Sequence, residues 1–324
     1  MRIFYLVPEF WGCAWYRCHV PGVELKKRGH HVVLNDFLTV NRVKEFDIII
    51  FQRQFIASSL RAIDYANSLG KLTVYELDDD LWHIDRASPA YNFWSDPRKL
   101  RAVEAALKAC QLVTTSTPYL AELLRQYNKN VVVLPNMLPS EYWQVKHESR
   151  EDGKVIIGWA GGAHHWSDLE ILRGTIEQIL NDYPQVELHV VGMREYPFKE
   201  HERMKILKPV RLEEYAKLLS KYDIGIAPLV DTQFNRCKSD LKFIEYGMVE
   251  LPVVASKVIP YMKSIVHGEN GFLAQNPKDW MKFLRRLIEN PDLRLKLGRK
   301  AREYAQTRTI EKNVWMWERA YNLT

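Results

Sequence analysis

The feature that most constrains the fold is an alternation of short β-rich runs with longer helical runs, which occurs twice along the chain. The first series extends over residues 2–134 and the second over residues 155–274. Residues 48–51 are all apolar, as expected of a strand that helices cover on both faces of a parallel sheet. Because 324 residues exceed the usual size of one domain, the sequence predicts an α/β protein with two doubly wound domains. The carboxyl ends of their strands would face a central cleft, where ligands of open α/β sheets bind.

The segment between the two series, residues 135–153, is predicted to be an interdomain linker. It contains Pro135 and Pro139, mixed charges and no sustained apolar period. The domain boundary is therefore expected near residue 150. After the second series, the chain is predicted to be helical and to end in an aromatic-rich run at residues 314–321.

The composition limits the classes of partner. The formal net charge of +6 has no basic arm behind it, which suits anionic small molecules or an acidic membrane surface and argues against nucleic acid. The cysteines Cys13, Cys18, Cys110 and Cys237 lack the spacing of a metal site or a disulfide framework, so reduced cytoplasmic thiols are expected. No apolar stretch approaches the roughly 20 residues that span a bilayer, so any membrane contact is expected to be peripheral, at the inner face.

Residues 235–246 are the first candidate binding segment, because they follow a predicted strand and its loop. A helix is predicted to begin near Ser239. Its unpaired N–H groups and positive dipole, together with Lys238 and Ser239, would form a binding site for a diphosphate. Lys242 and Glu245 are three residues apart and can share a helical face, so this face can present an ammonium to a diphosphate and a carboxylate to ribose hydroxyls. The alternative is an ordinary amphipathic helix whose charges are only solvated.

The apolar run at residues 251–256 then closes a βαβ unit, and residues 242–256 resemble the signature of retaining glycosyltransferases of the GT-B type, in the large family four. The resemblance implies two Rossmann-like domains, with Glu245 bonded to the donor ribose. Further similarities occur in the same order as in that family, at residues 27–32, at Leu134-Pro135-Asn136 and at residues 268–273.

One departure from the family pattern limits the catalytic assignment. Many members carry a second glutamate eight positions before the ribose glutamate, and Cys237 occupies that position here. Asn235, Lys238 and Ser239, followed by Lys242, resemble instead a subgroup that reads Asn-x-x-Lys-Ser-x-x-Lys. The resemblance implies that the phosphate contacts fall on the lysines, and it leaves the catalytic residue unknown.

Gly161 and Gly162 follow the strand predicted at residues 155–159 and form the second candidate segment. A glycine pair permits close approach of a ligand to the backbone, although it is equally typical of a tight turn. Ser167 or Asp168 could cap the next helix. In the resembled family this loop closes over the donor diphosphate and sugar. The arginine and lysine that many members use in this loop are missing, and two histidines lie in their neighbourhood.

Three adjacent carboxylates, Asp78, Asp79 and Asp80, follow the strand predicted at residues 72–77. Their mutual repulsion indicates either an exposed turn or a site where a cation or hydrogen-bond donor compensates the charge. Asp79 and Asp80 are the catalytic candidates, with a role at acceptor hydroxyls. The Asp-x-Asp spacing of Asp78 and Asp80 also permits a metal-dependent GT-A-like transferase. The second α/β series, which carries its own basic motif, argues against that alternative, so no obligatory metal or other cofactor is expected.

Candidate acceptor contacts in the first domain are Arg17, Trp82 and His83, with Arg53 in a comparable position. An aromatic face such as that of Trp82 suits the C–H side of a pyranose. Each of these residues is also compatible with an ordinary surface or core position.

The resemblance implies that residues 1–148, completed by a C-terminal helix at 309–324, form an acceptor-side domain and that residues 149–308 form the donor domain. The expected function is retaining transfer of a sugar from a nucleoside diphosphate sugar, the co-substrate, to a hydroxyl of a glycan, lipid-linked or small-molecule acceptor. The alternatives are a nucleotide-sugar epimerase or hydrolase of the same architecture and a non-catalytic nucleotide-sugar-binding protein.

Overall fold

The computed structural model describes residues 1–10, 12–147, 150 and 152–323, and within them the strands form two six-stranded parallel sheets. The first sheet has the strand order β2-β1-β3-β4-β5-β6 and the second has the order β12-β11-β10-β7-β8-β9. The strands are β1 Arg2–Leu6, β2 His31–Asn35, β3 Ile48–Gln52, β4 Leu72–Glu76, β5 Leu112–Thr115, β6 Val131–Val133, β7 Val155–Ala160, β8 Val186–Val191, β9 Met204–Leu207, β10 Ile224–Ala227, β11 Val253–Ser256 and β12 Phe272–Ala274.

The central strands are buried on both faces because helices cover each sheet. Every residue of β3 is buried, and Ile49 lies in register with Phe4 of β1 and Thr73 of β4. In the second sheet, β7 and β8 are buried along their whole length. The prediction of two doubly wound α/β domains is confirmed.

Helices connect the strands on both sides of each sheet. They are α1 Val20–Lys27, α2 Ala57–Ser68, α3 Tyr91–Trp94, α4 Pro97–Ala109, α5 Pro118–Leu124, α6 Trp166–Glu170, α7 Arg173–Asp182, α8 Leu212–Leu219, α9 Gln233–Arg236, α10 Leu241–Met248, α11 Ile259–Met262, α12 Pro277–Glu289, α13 Pro291–Ala305, α14 Ile310–Asn313 and α15 Trp315–Ala320. A turn of π-helix, Trp15–His19, leads directly into α1. Among the described residues, no helix is both long enough and apolar enough to cross a lipid bilayer.

The chain crosses between the two sheets twice, and the two crossings pair with each other. Leu138 of the linker forms an isolated parallel bridge with Thr309, and its carbonyl accepts a hydrogen bond from the Ile310 amide at 3.0 Å. Trp143 of the linker packs into a core on one face of the second sheet. After the bridge, side chains of α14 and α15 such as Ile310 and Trp317 pack into a core of the first sheet. The boundary predicted between residues 148 and 149 lies outside the described residues.

Candidate donor site between the two sheets

Residues 233–245, which carry the predicted donor motif, lie where the carboxyl ends of the strands of one sheet approach those of the other. The Thr117 hydroxyl donates to the Cys237 carbonyl at 2.8 Å, and the Asn136 amide donates to the Ser239 hydroxyl at 2.8 Å. Both donors belong to the first domain or to the linker that leaves it. Ser239 therefore lies at the contact between the two halves.

The helix that carries this motif begins later than predicted. Its first residue is Leu241, with Asp240 at the N-cap, whereas the sequence predicted a start near Ser239. Asp240 forms an ion pair with Arg308 at 2.9 Å, and Arg308 also donates to the Asn136 carbonyl at 3.0 Å. Ser239 therefore lies in the loop before the helix.

The two lysines of the motif lie beside aromatic rings. The Lys238 ammonium is 4.5 Å from the centre of the Phe234 ring, and the Lys242 ammonium is 4.8 Å from the Trp159 ring. Lys242 also donates to the Ala160 carbonyl at the end of β7. Burial, together with the repulsion of Lys238, lowers the pKa of Lys242 to about 8, against the attraction of Glu245.

The loop after β7 brings its glycines against these groups. A Cβ on Gly161 would lie 2.7 Å from the Trp159 ring and 2.9 Å from Lys242 Nζ. Gly192, at the end of β8, has a φ of +90°, and a Cβ there would lie 2.3 Å from the Gly161 carbonyl oxygen. Gly162 adjoins the His164 ring, which a Cβ would meet at 2.8 Å. The close approach of two loop backbones thus requires the absence of side chains.

Glu245 lies one turn beyond Lys242 and is almost fully buried. Its carboxylate accepts hydrogen bonds from the Tyr16 hydroxyl at 2.6 Å and from the Tyr215 hydroxyl at 3.3 Å. Burial raises the pKa of Glu245, although Lys242 and the two hydroxyls favour its charged form. Sequence reasoning placed Glu245 at the ribose and did not identify either tyrosine as its partner.

Asn235 and the histidine loop form a buried network behind the lysines. The Asn235 amide donates to Asp168 Oδ1 at 2.8 Å, and the Val230 amide donates to the same oxygen at 2.9 Å. Asp168 Oδ2 lies 2.7 Å from His165 Nδ1. The side chain of Asn235, a predicted diphosphate ligand, is thus bonded to protein groups. Asp168 lies inside α6 and bonds across the structure instead of capping the helix.

In the acidic run, Asp78 and Asp79 share one guanidinium. Arg53 donates to Asp78 Oδ1 at 2.7 Å and also to Asp79. Arg53 has a φ of +50°, which is unusual for a residue with a side chain. Although burial acts in the opposite direction, Arg53, together with Lys238 and His164 of the second domain, lowers the pKa of Asp79 to about 2. Asp79 is therefore ionised and within electrostatic range of the donor motif.

Asp80, the second catalytic candidate, is fully buried. Its carboxylate accepts from the Trp82 amide at 3.1 Å, lies 2.8 Å from His83 Nδ1 and is 3.8 Å from Cys237 Sγ. These contacts orient the loop and join it to the donor motif. Of the two carboxylates, Asp79 is the one with solvent access.

The three acceptor candidates occupy different environments. Arg17 is fully buried, with bonds to Glu76 at 2.7 Å and 3.2 Å, so it lies in the core rather than on an acceptor surface. Trp82 is half-buried, with its ring stacked on Tyr127 at 5.1 Å. His83 is exposed and lies in the loop that follows β4.

The spacing of Asp78 and Asp80 does not produce a shared metal site. Within the described part of the chain, the ligand group with suitable spacing is Cys13, Asp78 and Asp79. Arg53 already bonds all three side chains, since it also donates to Cys13 Sγ at 3.2 Å. The Arg53 cation thus compensates the negative charge of Asp78 and Asp79. The Asp80 carboxylate contacts other residues instead.

Comparisons with known proteins find a family that matches part of the chain and a relative of the chain. Residues 154–290, which include the donor motif, match the family described as Glycosyl transferases group 1. An uncharacterized glycosyltransferase of Haemophilus influenzae is 26% identical over 226 residues. That alignment covers 66% of this chain and 62% of the relative, so the chain spans less than two thirds of its length.

Two solved structures share the whole fold. The crystal structure of Anabaena HepE in complex with UDP-glucose has a TM-score of 0.72 at 16% identity, covering 99% of this chain and 100% of that chain. Sucrose-phosphate synthase from Thermosynechococcus elongatus has a TM-score of 0.73 at 14% identity, covering 100% and 99%. These likenesses confirm the predicted GT-B architecture of two Rossmann-like domains.

Proposed function

We propose that this chain, whose residues 154–290 match the family Glycosyl transferases group 1 and whose fold is GT-B, transfers a sugar from a nucleoside diphosphate sugar to an acceptor hydroxyl. The observation that carries the proposal is the convergence of Lys238, Lys242, the Gly161 loop and Glu245 beside the carboxyl ends of the central strands β7 and β10. The bound UDP-glucose of HepE, a protein of the same fold, supports a nucleotide-sugar donor.

In the proposed mechanism, the two lysines stabilise the charge that develops on the leaving diphosphate. Lys242 is held against the end of β7 by the Ala160 carbonyl and the Trp159 ring, so it is positioned before the donor binds. Such preorganised charge stabilises a transition state without reorganisation. Glu245 would bond the ribose hydroxyls, and Gly161 and Gly162 would let the donor approach the backbone.

Asp79 is the proposed carboxylate on the acceptor side of the reacting sugar. It stays ionised through its contact with Arg53, has solvent access and lies near Lys238. We propose that residues 1–148, with 309–324, bind the acceptor, with His83 and Trp82 beside Asp79. A glycan, lipid-linked or small-molecule acceptor would suit this side, and retention of configuration belongs to the proposal through the family resemblance.

The direct test measures nucleotide release from UDP-, GDP- and ADP-sugars, with and without candidate acceptors. We expect one donor to be turned over in an acceptor-dependent manner. The variants Lys242→Met and Glu245→Gln should lose most of this activity, whereas the exposed controls Lys217→Met and Glu213→Gln should keep it. Turnover without an acceptor would indicate a hydrolase or epimerase. Binding without turnover of any donor would indicate a non-catalytic protein.

A further inference from the structure

A histidine and a carboxylate that the proposed reaction has not used are paired at the start of α6. His165 and Asp168 are 8% and 3% exposed, and His165 Nδ1 lies 2.7 Å from Asp168 Oδ2. The other oxygen of Asp168 accepts from the Val230 and Asn235 nitrogens. The carboxylate is therefore held by both oxygens and cannot turn away from the imidazole.

This arrangement determines what the imidazole can do. With a carboxylate at Nδ1, the neutral ring carries its proton on that nitrogen and presents the Nε2 lone pair. When Nε2 is also protonated, the ring is a cation, and Asp168 is already in place as its counter-ion. The pair can therefore add a positive charge at Nε2 without rearranging.

The ring lies in the loop that the donor diphosphate is proposed to contact. His165 is three residues after Gly162, and its ring centre is 5.8 Å from that of Trp159, over which the Lys242 ammonium also lies. The charged and titratable groups around the ring are Lys238 and Lys242 of the donor motif, Asp79 of the first domain, the adjacent His164 and Asp168. The two lysines of the proposed diphosphate contact thus act electrostatically on the imidazole.

We propose that His165 is a third ligand of the donor diphosphate and takes up a proton when the nucleotide binds, with Asp168 as the positioning residue. The inference rests on the proposed function, because it assumes that a diphosphate occupies this loop. His165 then supplies the cation that the glycine loop otherwise lacks.

The charges around the ring explain why uptake should accompany binding. In the nucleotide-free protein, burial and the two lysines hold the pKa of His165 well below its usual value, so the ring is neutral near neutral pH. A diphosphate brings negative charge beside the lysines and reverses their effect on the imidazole. The protein should therefore gain a proton as the ligand binds.

The test is calorimetry of UDP-glucose, GDP-glucose and ADP-glucose, whose diphosphates have no terminal phosphate that titrates near pH 6.5, at that pH in two buffers that differ in ionisation enthalpy. Lys242 contributes little to the proton count at this pH, because its pKa is about 8 and it is already protonated. For the nucleotide that binds, we expect the wild-type protein to take up a substantial fraction of one proton. His165→Asn keeps a donor at the position of Nδ1 and loses Nε2, so it should lose this uptake and bind at least about tenfold more weakly.

His165→Gln is the matched variant, because its amide reaches the position of Nε2 but does not titrate. It should recover part of the affinity without the proton uptake, and Asp168→Asn should lower both. Melting temperatures of the nucleotide-free variants separate these effects from loss of folding. Equal proton uptake in the wild type and in both His165 variants would overturn the inference while leaving the proposed function intact. Failure of every nucleotide to bind would overturn both.

Discussion

The Tyr16 hydroxyl donates a 2.6 Å hydrogen bond to the Glu245 carboxylate, across 229 residues of chain and from one domain to the other. Tyr16 lies in the π-helical turn after β1, and Glu245 lies in the second turn of α10. The carboxylate proposed to bind ribose therefore accepts a hydrogen bond from a side chain of the first domain. If ribose binds there as proposed, the donor and the Tyr16 hydroxyl compete for the same carboxylate.

Tyr16→Phe should lower the stability of the protein without nucleotide and should increase its affinity for the nucleotide. A hydrogen bond to a charged group contributes about 1.5–3 kcal/mol, and the variant loses it only in the free state if ribose hydroxyls replace it in the complex. We expect a lower melting temperature and a nucleotide Kd reduced by about tenfold or more. Calorimetry and thermal melting measure both quantities, with Tyr65→Phe in α2 as a control elsewhere in the first domain. An unchanged Kd with a lowered melting temperature would mean that Tyr16 keeps its bond in the complex.

Nucleotide affinity should fall at alkaline pH because of Lys242. Its pKa in the free protein is about 8, so it is cationic below that pH and becomes neutral above it. The proposed diphosphate contact needs the cation, so the contribution of Lys242 to the affinity should be constant below about pH 7.5 and should fall by up to about tenfold per pH unit above pH 8. Lys242→Arg stays charged throughout this range and should remove the decline. The same decline in Lys242→Arg would assign it to another group.

Much of the fold was predictable because the strands are short, apolar and buried on both faces. Residues 48–51 lie within β3, and residues 253–255 lie within β11, as their runs of apolar residues predicted. The edge strand β9 was missed, since two of its four side chains are exposed and its pattern is not that of a buried strand. The helix that Ser167 or Asp168 was expected to cap is divided into α6 and α7, and the first of these carries Asp168 with its distant partners.

Only part of the candidate site could be predicted from the sequence. Spacing along one helix placed Lys242 and Glu245 together, because residues three apart share a face. The partners of Glu245, Asp168 and Asp79 come from remote segments or from the other domain, and no local pattern relates them. The buried position of Arg17 was equally hidden, because the ion pair with Glu76 depends on two strands and a turn coming together.

Asp79→Asn and Asp80→Asn should differ in their effect on catalysis. Asp79 is the ionised carboxylate with solvent access, so its neutralisation should lower kcat by about 100-fold, and the loss of its ion pair with Arg53 should also lower the melting temperature. Asp80 is fully buried among the Trp82 amide, His83 and Cys237, so Asp80→Asn should destabilise the fold by about 1–3 kcal/mol. Initial rates and thermal melts of the two variants make the comparison. A larger loss of kcat in Asp80→Asn than in Asp79→Asn would exchange the two roles.

Removal of divalent cations should leave transfer unchanged. The suitably spaced ligand group among the described residues is Cys13, Asp78 and Asp79, and the Arg53 guanidinium already compensates its charge. A divalent cation there would have to displace an arginine that remains protonated at any working pH. Rates measured after dialysis against EDTA, and again with added Mn²⁺ or Mg²⁺, should therefore agree. A loss of activity that Mn²⁺ restores in the wild type but not in Asp78→Asn would instead place a catalytic metal at this carboxylate pair and favour the metal-dependent alternative.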